Sequence, residues 1–140
     1  MSRYEYSVAI DAPTDVVWKH MSDVAHWPDW TESVRKVDPL DTGELAVGHK
    51  ARVFQPKLPK AVWTVTAIEP GRSFTWVNKT PGLTSTGIHS VVPTADGSQA
   101  TLTLEQHGLL APLVRLLTGK MTQRYVELEG NGLKRVSEST

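Results

Sequence analysis

The chain has 140 residues, with 15 basic and 15 acidic side chains and no cysteine. That length suits one domain with a real core, expected over residues 1–140. The balanced charge argues against nucleic acid or an anionic membrane as the main partner, since both select a basic footprint.

Without cysteine there is no disulfide, no thiolate nucleophile and no zinc–thiolate site. The opening MSRYEYSVAI lacks a basic stretch followed by an apolar one, so no signal peptide is read. No apolar run reaches the ~20 residues that span a bilayer. The expectation is a cytoplasmic protein with no stable membrane insertion. Five tryptophans is a high number for such a length, and they suit either a core or a ligand pocket.

Arg3 to Ile10 alternates, with Tyr4, Tyr6, Val8 and Ile10 on one side, and reads as a strand. Asp11-Ala12-Pro13 breaks it, and a short helix follows from about Pro13 to Met21. A second short turn ends near Trp27-Pro28-Asp29-Trp30, where the proline bars continuation. From there to His107 six strand-like segments are expected: 33–40, 50–55, 61–69, 73–79, 84–92 and 99–107. The turns at Pro70-Gly71, Pro81-Gly82 and Asp96-Gly97 leave no room for crossover helices, so the sheet is antiparallel and built of hairpins. A long amphipathic helix closes the chain, from about Leu109 to Arg135. Leu109, Leu113, Leu116, Leu117, Met121 and Leu128 recur in it at three- and four-residue steps. Such a helix buries its stripe against the sheet.

Folding the hairpins about those turns sets Val65 beside Trp76, Trp76 beside Thr86, and Ile88 beside Leu104. The inner face then carries Trp63, Phe74, Trp76, Asn78, Ser90 and Gln106 among apolar neighbours. An unpaired buried amide costs about 1–3 kcal/mol, so these polar groups pair with one another or meet water or a ligand. His89 and Glu105 fall together on the outer face. They are a cross-strand polar pair, or a general base should a bulge turn them inward. Trp27 and Trp30 plug one end of the core or form a lid over a cavity. Arg124 lies close to the leucine stripe and either snorkels to solvent or reaches the cavity mouth. Gly119, Gly130 and Gly132 mark kinks or close approach, or the last two end the helix early. The histidines lack metal-ligand spacing, and there is no phosphate loop and no GxSxG, so neither metal nor cofactor is expected.

Four stretches in order resemble the START / Bet v 1-like (SRPBCC) superfamily, in particular its small bacterial polyketide cyclase/dehydrase-like members. They are Ile10-Asp11-Ala12-Pro13 with Val17-Trp18, the Trp27-Pro28-Asp29-Trp30 turn, the paired segments Gly87-Ile88-His89 and Thr103 to Gly108, and the closing helix with Tyr125 to Glu129. The resemblance implies an α+β helix-grip fold: about seven antiparallel strands curved around the long C-terminal helix, with two short helices after the first strand. It implies a cavity between sheet and helix that takes a small hydrophobic or aromatic molecule, lipid- or polyketide-like. Trp63, Phe74, Trp76, Asn78, Ser90, Gln106, Leu113, Leu117, Met121 and Trp27 are the expected lining. The alternative is a cyclase or dehydratase that moves protons with polar groups of that cavity. A monomer or a homodimer is consistent with the sequence.

Overall fold

The computed structural model describes all 140 residues. β1 (Ser2–Ile10) leads into α1 (Thr14–Ser22) and a 3-10 helix (Val24–Asp29). Six strands follow: β2 (Lys36–Pro39), β3 (Lys50–Phe54), β4 (Ala61–Glu69), β5 (Ser73–Thr80), β6 (Leu83–Thr94) and β7 (Gly97–His107). α2 (Ala111–Glu138) closes the chain. The sheet has seven strands in the order β1-β7-β6-β5-β4-β3-β2, with every neighbouring pair antiparallel. α2 packs across β1 and β7 and against α1. This is the helix-grip arrangement, and the expected element order is found throughout.

Two registers differ from the sequence reading. Thr80 pairs with Leu83, so Pro81-Gly82 is a two-residue turn. Proline fixes its first position, and Gly82, at φ 79°, takes the left-handed second one. At the next turn Thr94 pairs with Gly97, leaving Ala95-Asp96 as the loop. Each turn is thus centred half a residue from where the reading set it, and each slips the pairing by one. Trp76 faces Gly87 rather than Thr86, and Thr103 rather than Leu104 faces Ile88. The two slips cancel between β5 and β7 but turn β6 over. Ser85, Gly87, His89 and Val91 point inward, and Ser90 points out, with its hydroxyl directed at the Thr101 carbonyl. A bulge between Val65 and Ala67 has the same effect locally: Ala67 is exposed and Ile68 packs on the core.

The leucine stripe of α2 does not face the sheet. Leu113, Leu116 and Leu117 are 51%, 80% and 73% exposed, and Leu109 and Leu110 before the helix are exposed as well. The buried face instead carries Ala111, Thr122, Val126, Gly130, Leu133 and Ser137. The helix runs unbroken through Gly130-Asn131-Gly132. These glycines let it lie close to its neighbours. A Cβ at Gly130 would meet the Tyr6 ring at 2.6 Å, and one at Gly132 would collide with the Trp30 carbonyl oxygen. A second end of the helix is fixed at the β5–β6 turn, where the Leu110 amide donates to the Gly82 carbonyl at 3.0 Å.

Candidate functional site

Between α2 and strands β3 to β7 lies a cavity of about 640 Å³. Pockets that enclose small molecules fall in the same range, roughly 300–1,000 Å³. Its apolar wall comes from the 3-10 helix and the middle of the sheet. Trp27 is buried, and its indole N–H donates to the Met21 carbonyl at 3.1 Å. Its ring lies 5.2 Å from that of Trp76, which lies 5.6 Å from that of Trp63. These three rings form a continuous aromatic surface along one side of the cavity. Trp27 is thus part of the wall, with its ring packed on Trp76 and its N–H bonded to Met21.

Polar groups are few and individually placed. Asn78 lines the cavity and donates to the Val62 carbonyl at 2.8 Å. Gln106 lines it too, and its side-chain oxygen has no hydrogen-bond partner. Thr118 and Thr122 face in from α2, each with its hydroxyl donated to the carbonyl one turn earlier. Tyr125 ties α2 to the β3–β4 loop through a hydrogen bond to the Pro56 carbonyl. Lys60 and Lys79 are exposed lining residues at the rim.

The chemical centre is a pair on facing elements. His89 of β6 is 5% exposed and stacks on Phe74, with ring centroids 4.3 Å apart and planes 8° from parallel. Its Nε2 lies 3.1 Å from Oε1 of Glu129 on α2. Its Nδ1 is buried with no hydrogen-bond partner. Both side chains line the cavity. A carboxylate beside an imidazole in a largely apolar enclosure can exchange a proton with a bound molecule.

The residues expected from the sequence divide clearly. Trp63, Trp76, Asn78, Gln106, Trp27 and His89 line the cavity. Phe74 stands one layer back, behind His89. Ser90 is on the other face because β6 is turned over. Leu113 and Leu117 lie on the solvent side of α2, and Met121 lies outside the cavity on the flank of that helix. The anticipated His89–Glu105 pair does not exist: Glu105 faces outward across from Thr86 and pairs with Arg3 at 3.2 Å. Arg124 is exposed. Sequence reasoning missed Glu129, Thr118, Thr122 and Tyr125. The signal for the threonines was present as polar residues at a four-residue step opposite the leucines.

Comparison with known proteins agrees with this fold. The model of the family described as "Polyketide cyclase / dehydrase and lipid transport" matches residues 1–138, and the chain belongs to that family. No curated protein sequence matches it. Among solved structures it is similar to the Zhui aromatase/cyclase from Streptomyces sp. R1128, at 19% identity and a TM-score of 0.80, over 98% of this chain and 93% of that one. It is similar to the hypothetical protein jhp0584 from Helicobacter pylori, at 14% identity and a TM-score of 0.83, over 97% and 88%. The protein Ara h 8.0201 gives 11% identity and a TM-score of 0.74, over 99% of both chains. At these identities the likeness is one of fold.

Proposed function

We propose that this member of the family binds a small hydrophobic or aromatic molecule in the cavity between α2 and the sheet. The observation that carries the reading is the continuous Trp27, Trp76 and Trp63 surface along a cavity of about 640 Å³. Flat aromatic walls favour stacked rings and acyl chains alike. The free oxygen of Gln106 can accept a hydrogen bond from a hydroxyl on such a molecule, and Asn78 adds a second polar group to the same lining. The likeness of fold to an aromatase/cyclase accords with a ring-bearing ligand.

Tryptophan fluorescence during titration with 2-naphthol tests the proposal. Saturable quenching is expected, and Thr118→Phe, which projects a ring into the cavity from the α2 wall, weakens the affinity at least about tenfold. No saturable response, or one that Thr118→Phe leaves unchanged, overturns it.

The His89–Glu129 pair supports a second reading, a cyclase or dehydratase that shuttles a proton on the bound molecule. Under it Glu129→Gln abolishes turnover of an aromatic-forming polyketone while naphthol binding persists. Full turnover by that variant excludes the pair as the proton carrier.

A further inference from the structure

We propose that the first turns of α2 dock on an anionic lipid surface, which makes the cavity's helical wall the part of the molecule that meets the membrane. At about 100° per residue, Leu113, Leu116 and Leu117 share one side of the helix with Lys120 and Arg124. Val114, Thr118, Thr122 and Tyr125 share the opposite side and line the cavity. The leucine side is uncovered: Leu109, Leu113, Leu116 and Leu117 are each more than half exposed. Four large apolar side chains clustered in this way are far from the scattered single exposures of an ordinary surface.

The charge around them selects the occupant. No acidic residue occurs between Glu105 and Glu127, whereas Lys120 and Arg124 lie on the leucine face; Arg115 turns to the other side of the helix, over the Tyr4 ring. The neighbouring rim is basic as well. Leu110 is bonded to the β5–β6 turn, and Lys79 and Lys60 stand at the rim of the cavity. There is no acidic residue between Glu44 and Glu69, nor between Glu69 and Asp96. The balanced total charge thus conceals a polarised molecule. A helix that combines leucines with lysine and arginine on one exposed side fits the interface of an anionic bilayer. A second copy of the chain fits it poorly, because a two-fold contact through the same patch sets Lys120 and Arg124 against their own images with no carboxylate in that segment.

Co-sedimentation with vesicles tests this, using phosphatidylcholine alone and phosphatidylcholine with roughly 30% phosphatidylserine. The wild-type chain is expected to sediment with the anionic vesicles and not with the neutral ones. Leu116→Glu/Leu117→Glu reduces the partition at least about tenfold. Lys120→Gln/Arg124→Gln reduces it about 25-fold, at about fivefold for each cation removed. All four positions are exposed, and a thermal melt of each variant verifies its fold. Absence of sedimentation overturns the proposal, as does equal sedimentation with neutral vesicles or indifference to both variants. A wild-type dimer that Leu116→Glu/Leu117→Glu splits, with no vesicle association, assigns the face to a second copy instead. The naphthol titration is run without lipid, so failure of docking and failure of ligand binding are read separately.

Discussion

His89 and Glu129 are held in place by different means, and each can be tested alone. His89 is fixed by its stack on Phe74, while Glu129 enters from α2 and meets its Nε2. Glu129→Leu removes that carboxylate and leaves a buried imidazole without its polar neighbour. A loss of about 1–3 kcal/mol is expected, read from urea unfolding. Gly132→Ala is expected to destabilise although alanine is the better helix former by ~1 kcal/mol. The new methyl meets the Trp30 carbonyl, a rigid backbone group that also accepts from Arg135. The net cost is about 1–3 kcal/mol in the same assay. At the end of α2 the amide of Asp11 donates to Glu138, and Lys134 pairs with it, which together hold its carboxyl below the ordinary value. A carboxylate with a lowered folded value contributes stability that is present above its unfolded value. That contribution is lost as pH falls through the folded one. Removing it by Glu138→Gln therefore lowers the melting temperature at neutral pH, and the difference from wild type vanishes in acid. A gap that persists at low pH contradicts the assignment.

At the scale of elements, the order of strands and helices was legible, and so was most of the inner face of β4, β5 and β7. Alternation and the Pro-Gly turns state these directly. What failed was the centre of two hairpin turns. A half-residue error in each is invisible in composition yet reverses the strand between them, which is why Ser90 was taken for a lining residue and His89 was not. The long helix misled for a different reason. Its strongest apolar stripe is real, but a helix wall that bounds a cavity needs small and hydroxylic residues, such as Thr118 and Thr122, more than bulky ones. The leucines were left for the outside. Glu129 was missed because a lone glutamate on a helix carries no spacing signal until its partner strand is known. The corrected faces make a sharp prediction. Leu133→Ala, at a fully buried position, costs about 2–5 kcal/mol in urea unfolding. Leu116→Ala, on the exposed side, stays within about 0.5 kcal/mol of wild type.

At the scale of the molecule, one helix serves two surfaces. Its inner side closes an aromatic-walled cavity, and its outer side, with the basic rim, faces a lipid interface in the reading given above. The sheet supplies the rigid half, with Trp63 and Trp76 on adjacent strands and Trp27 locked against them. The most direct test of the cavity's role is native mass spectrometry of the chain after incubation with a panel of fused-ring aromatic and fatty-acyl compounds, with Thr118→Phe run in parallel. A one-to-one adduct with at least one compound class is expected, with a strong reduction of that adduct in Thr118→Phe. No adduct with any compound, or adducts that Thr118→Phe forms equally well, would rule out ligand binding in the cavity.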